Sequence, residues 1–217
     1  MKNLSLIFAF IALFSLGAQA QSISVGLRGG INLTTNVGED VSEDNKFVTG
    51  ANFAIPVEIG VSDNFSVQPE LHYIQKGTKV EFSDDLYAYS LTNYFELPIL
   101  AKGMFGTENI KGYVAAGPTL GVAFSRFVTL VNGDEKEREK AERDDQGEET
   151  DNIFDFGLTG AIGVEINAGP GAFVIDARYN MDLNDNTSFE NDAPENYNPT
   201  KNSGIGISVG YVISLGK

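Results

Sequence analysis

His72 is the only histidine in the chain, with Glu70 two residues before it and Ser66 further back in the same stretch, 65–77. Those residue types can serve a hydrolase or an acyltransferase, in which a carboxylate holds an imidazole that takes the proton of a serine nucleophile. Such chemistry requires the base and the nucleophile to be within hydrogen-bond reach. Asp182, Asn184 and Asn186 imitate the opening of a calcium loop, but the glycine and the closing glutamate of such a loop are missing. The glycines recur at strand spacing with no helix after them, so no phosphate-binding loop qualifies. A third set of charged residues is larger and more dispersed: Arg28, Glu58, Glu70, Glu96, Glu165, Asp176 and Arg178, each set in an otherwise apolar stretch.

Alternation positions all of these. In 65–77, Phe65, Val67, Pro69, Leu71 and Tyr73 point one way and Ser66, Gln68, Glu70, His72 and Lys76 the other, since successive strand side chains take opposite faces. The same two-faced pattern recurs at 22–33, 47–61, 91–102, 110–125, 153–167, 172–183 and 204–215, which predicts eight strands. Ser62-Asp63-Asn64 and Ala168-Gly169-Pro170-Gly171 read as tight turns. Connections are expected to be long after the first, third, fifth and seventh strands and short after the others. The third connection carries Lys79, Asp84, Asp85 and Tyr87, and 126–152 is almost entirely charged from 134 to 149. That charged block reads as a surface loop, with a short solvated helix built on Glu and Lys or Arg neighbours as the alternative.

Composition bounds the setting. The chain opens with Lys2, an apolar run over 4–16 and Ala18-Gln19-Ala20, the order of a secretory signal peptide cleaved after Ala20. The run is too short for a membrane helix, which takes about 20 apolar residues. With 1–20 removed as the signal peptide, 21–217 forms one domain of 197 residues. It has no cysteine, hence no disulfide and no lipoprotein anchor. Loss of Lys2 takes the net charge from −15 to −16, a balance that argues against nucleic acid as a partner.

Alternation alone does not say which face is inside. Arg, at roughly 2–4 kcal/mol on the lipid face at midplane, makes a charged exterior untenable in a membrane, whereas inside a barrel the charges can pair. The fold predicted is therefore all-β: an eight-stranded antiparallel up-and-down transmembrane β-barrel, both termini periplasmic, with long acidic extracellular loops and a location in the outer membrane. Phe53, Phe65, Tyr73, Phe95, Phe124, Phe156, Phe173, Tyr179 and Tyr211 would form aromatic girdles. Arg28, Glu58, Glu70, Glu96, Glu165, Asp176 and Arg178 would form one interior charge layer in which five acids face two bases. Either Lys76 and Lys102 join it, or water and shared protons relieve the repulsion. His72 is read as an interior polar residue facing away from any lipid substrate. No catalytic, cofactor or metal site is expected.

FSVQPELHYIQKG, YFELPILAKG, YVAAGPTLGV, AIGVE preceding VIDARYN, and GIGISVGYV together resemble the PorT-like or "porin family" outer-membrane barrel domain common in Bacteroidetes. The resemblance covers nearly all of 21–217, although the acidic insert 134–151 is not part of it. It implies an eight-stranded barrel, with a link to protein secretion through the family's namesake. Ser208, Gly210, Ile213 and Leu215 are similar to the signal read by the barrel-assembly machinery, with the departure that the chain ends Leu215-Gly216-Lys217 and not on an aromatic residue. The expected partners are outer-membrane lipid and lipopolysaccharide, to which acidic loops bridge through loosely held divalent ions, the assembly machinery and secretion-system proteins. A monomer is expected. The function expected is that of a non-enzymatic barrel with a plugged, charged interior, acting as an envelope structural or interaction protein. The alternatives are a narrow channel for small solutes and an outer-membrane enzyme or ligand binder.

Overall fold

The computed structural model describes residues 22–39, 41–42, 45–83, 85–141, 149–151, 153–189 and 198–216. The signal peptide expected at 1–20 lies outside the described residues. Among those described, eight long strands follow one another: β1 (Ser22–Val37), β2 (Val48–Ser62), β3 (Phe65–Ser83), β4 (Leu86–Gly106), β5 (Ile110–Asn132), β6 (Phe154–Ala168), β7 (Gly171–Asp182) and β8 (Lys201–Gly216). Each pairs antiparallel with the next, and β1 pairs with β8 from Ile23 opposite Gly216 to Val37 opposite Lys201, so the sheet closes on itself. Closure leaves these strands no free edge over the paired registers.

The alternation does what the pleat requires. Leu27, 69 % exposed, and Ile31, Phe53, Leu71, Phe95, Ile162, Phe173 and Ile207 line the outer face, while Arg28, Glu70, Glu96, Asp176 and Arg178 are buried within. Tyr73 lies 6.3, 6.1 and 6.2 Å, centroid to centroid, from Phe53, Phe95 and Phe124, and Phe173 lies 5.0 Å from Tyr211. Six of the outward aromatics thus gather in two groups.

Two connections differ from expectation. The stretch from Lys79 to Tyr87 is no long loop: β3 runs to Ser83 and β4 starts at Leu86, with Lys79 opposite Tyr89 and Glu81 opposite Tyr87. The charged block after β5 is neither loop nor helix over its first part. Arg126 to Asn132 continues β5, and Glu135–Lys140 turns back as a strand against it, through a turn in which Gly133 takes φ +59. The remaining 142–148 lie outside the described residues. The reason is pairing: polar residues that look like loop become strand when a neighbouring strand offers its free backbone groups.

At 19, 21 and 23 residues, β3, β4 and β5 are far longer than the roughly 10 that cross a bilayer. Their excess forms an arm at the long-connection end, joined at its rim by Asn45–Lys46 against Lys79 and Val80. The arm starts at a bulge, where Asn93 faces Ser125, Tyr94 faces Ala123 and Phe124 is the extra residue.

Candidate functional site

The inward residues do not form one layer. They form three clusters stacked along the barrel axis, because a strand advances about 3.3 Å per residue and Glu70 and Lys76, both on β3, must sit roughly 20 Å apart.

In the middle cluster, Arg28 donates to Glu70 Oε2 at 2.7 Å and to Asp176 Oδ2 at 2.9 Å. Arg178 grips both oxygens of Glu70 at 2.8 Å and donates to Asp176 Oδ2 at 3.1 Å. Ser208 and the Tyr113 hydroxyl complete Asp176 at 2.6 and 3.0 Å. Two guanidiniums and two carboxylates balance, and the paired fork geometry is the strongest available for such groups.

Nearest the short turns, Lys102 donates to Glu58 at 2.6 Å, to Gln68 at 3.2 Å and to Glu165, and its ammonium lies 4.4 Å from the Tyr113 ring centroid. Gln68 Nε2 then donates to Glu70 Oε1 at 2.5 Å, which couples this cluster to the middle one. Toward the arm, Lys76 meets Glu96, Asp155 and Asp182, each at 2.6 Å. His72 Nδ1 lies 3.4 Å from Glu96 Oε2, at the edge of this cluster.

Every residue of the predicted layer is therefore inside, but Lys76 and Lys102 are as central as the arginines. Asp155 and Asp182 belong with them and were not assigned to the layer from sequence. Their inward positions on β6 and β7 were the available signal. Small residues make the room. A Cβ on Gly163 would stand 2.4 Å from Tyr113 Cζ, and one on Gly121 would stand 3.1 Å from Asp155 Cβ.

The charged centres present almost no surface to water: Glu70 is 1 % exposed, and Asp176, Lys76 and Lys102 are each 2 % exposed. A void of about 10 Å3 beside Arg28, Gln68 and Lys102 is no larger than one water. At the short-turn end, a vestibule of about 1050 Å3 lined by Glu58, Asp63, Glu108, Lys111 and Glu165 opens outward. Its inner limit is the Lys102 cluster.

The other candidates separate. Six residues of extended strand put Ser66 roughly 20 Å from His72, and the imidazole turns to Glu96 rather than Glu70, so the three residues form no relay. Asp182 accepts from Lys76, Asn184 Oδ1 accepts from the Phe156 amide at 2.6 Å, and Asn186 Oδ1 accepts from Asn202 at 2.9 Å. Those oxygens do not converge on a cation. Among the described residues, no group of three or more His, Asp or Glu has the arrangement of a metal site.

The model of the family described as outer membrane protein beta-barrel domain matches residues 19–188. No curated protein matches the chain. Among solved structures, the outer membrane protein OprG from Pseudomonas aeruginosa is 11 % identical with a TM-score of 0.52, covering 92 % of this chain and 98 % of its own. The attachment invasion locus protein Ail of Yersinia pestis is 14 % identical (TM-score 0.43, 88 % and 98 % covered). The outer membrane protease OmpT from Escherichia coli is 10 % identical (TM-score 0.49, 90 % and 97 % covered). At 11 % identity the likeness to OprG is one of fold alone.

Proposed function

We propose, from the premise that the chain belongs to the outer membrane protein beta-barrel domain family, that it is an eight-stranded, plugged, non-conducting barrel acting as an envelope structural or interaction protein. Its location is the outer membrane. The short turns and the Ile23–Gly216 end of the β1–β8 seam face the periplasm, and the arm with its acidic connections faces outside, the usual disposition of short and long connections in such barrels. The observation that carries the reading is the three-level ionic plug, in which Arg28, Glu70, Lys76, Glu96, Lys102, Asp176 and Arg178 are buried while Glu58 and Glu165 border the vestibule.

Catalysis has no support in the separation of Ser66 from His72, and we read His72 as an interior polar residue beside Glu96. Contacts with partners fall to the arm and the acidic connections. Partners in protein secretion follow from the resemblance to the PorT-like group, and the assembly machinery is the partner during biogenesis. The chain is read as a monomer, since its closed sheet needs no second copy.

A narrow pore is the second reading, favoured by the vestibule of about 1050 Å3. Planar-bilayer recording of pure refolded protein separates the two. Absence of steps is expected, and stable, reproducible channels would sink the plugged-barrel reading.

A further inference from the structure

The arm sorts its charges by face. Glu135–Lys140 has the sequence Glu-Lys-Glu-Arg-Glu-Lys, and a strand of that pattern puts all its acids on one side and all its bases on the other. Registry fixes which is which. Lys136 lies opposite Val131, Arg138 opposite Thr129 and Lys140 opposite Phe127, while Thr129 and Phe127 lie opposite Tyr89 and Leu91 of β4. Tyr89 is an even number of residues from Phe95, so it shares the outer face of the barrel wall. The bases therefore face outward, over the lipid-facing side, and Glu135, Glu137 and Glu139 face inward.

The rest of the outer face agrees. Arg138 lies 4.2 Å over the Phe127 ring, and Lys79, opposite Tyr89, lies 4.2 Å over the Tyr87 ring. Tyr87 and Tyr89 stack at 6.5 Å, and Lys46 sits beside Lys79 in register. Glu81 is the one acid seen among these bases in the described registers, and it is hydrogen-bonded to Lys79 at 2.6 Å.

Height selects the occupant. Arg138 and Lys79 are both level with Tyr89, six residues above Phe95 of the outward aromatic group. At a strand tilt of about 40° that is roughly 15 Å above the ring. A phospholipid headgroup region is only about 5–8 Å deep on each side. The bases stand too high for phospholipid phosphate and at the right height for sugars built on a lipid.

We infer that the outward face of the arm, carried by Lys79, Lys136, Arg138 and Lys140, binds the phosphate-bearing core sugars of lipopolysaccharide in the outer leaflet. Charge complementarity and unbroken continuity with the lipid-facing band support that occupant over a soluble polyanion. The inference rests on the orientation proposed above, with the arm outside.

The test uses the full chain refolded into phosphatidylcholine vesicles containing phosphorylated rough lipopolysaccharide, with bound lipopolysaccharide measured after detergent extraction. Changing Lys136→Gln, Arg138→Gln and Lys140→Gln together is expected to weaken retention about tenfold to a hundredfold. Changing Glu135→Gln, Glu137→Gln and Glu139→Gln is expected to leave it intact. Equal retention by the outward variant overturns the inference, as does equal retention of dephosphorylated lipopolysaccharide, or tighter binding of a soluble sulfated glycan at the same face. An epitope placed at Gly133 and probed on intact cells tests the orientation by itself. No labelling defeats the orientation, whereas labelling with unaltered retention defeats only the sugar-binding face.

Discussion

The barrel interior and the arm are built from the same strands, yet they use charge in opposite ways. On β3, Lys76 points inward, is 2 % exposed and holds three carboxylates, while three residues on Lys79 points outward with 27 % of its side chain exposed and holds one. Inside, acids and bases share one face and are sorted by height into three levels. In the arm they alternate along one strand and are sorted by face. The first arrangement neutralises charge locally and fills space. The second gathers Lys136, Arg138 and Lys140 on one exposed face, which is where the proposed contact with lipopolysaccharide is placed.

Substitutions can break that contrast. Glu70→Ala would leave two buried guanidiniums without their shared carboxylate and should cost about 3–5 kcal/mol, read as the shift in urea unfolding of protein refolded in vesicles. A loss under about 1 kcal/mol, the range of exposed pairs, would mean that water reaches the middle cluster and that the interior behaves like the arm. Gly163→Ala pushes a methyl into the Tyr113 ring and should cost about 1–3 kcal/mol. Combining it with Tyr113→Leu should recover part of that loss if the ring is the obstacle. Failure to recover would place the strain in the backbone approach of Ile175 O, 2.7 Å from the same Cβ.

The smallest effect belongs to the arm. The hydrogen bond from Lys79 holds the Glu81 carboxyl below the ordinary carboxylate range. A lowered value makes the contact's contribution present above the unfolded-state value and lost as pH falls through the folded one. In so exposed a pair, solvent screens that contribution away, so Glu81→Gln should leave the unfolding midpoint unchanged at neutral pH and at pH 4. A clear shift would show the arm to be stiffer and drier than its exposure indicates.

Much of the interior was legible because the strand period is two: the faces of Arg28, Glu70, Asp176 and Arg178 follow from counting. Height was not legible. Lys76 meets Asp155 and Asp182 at separations of 79 and 106 residues, and which inward residues share a level depends on the stagger between strands. Nothing in a single stretch encodes that stagger, so one layer was expected where three exist. The arm was misread for a different reason. Alternating Glu with Lys or Arg satisfies helical neighbours and strand faces alike, and only the continuation of β5 beside it decides for the strand. The stretch 78–90 reads as connection because its apolar residues turn inward there, with Val80 and Ala88 opposite one another in a mouth instead of against lipid.

The seam between β1 and β8 has a bearing on how such a molecule comes into being. Its registers join residues from opposite ends of the chain, Ile23 with Gly216, whereas the β3–β4 hairpin joins residues a few positions apart at its turn. Loop closure entropy opposes distant pairings and delays them. The hairpins can therefore assemble early, as local units, while the seam waits for the last strand. Until it zips shut, Arg28 lacks the wall that brings it to Asp176, 148 residues away. Closing the seam and joining Arg28 to Asp176 are then a single late event, and a chain halted short of β8 retains two raw edges and an incomplete centre.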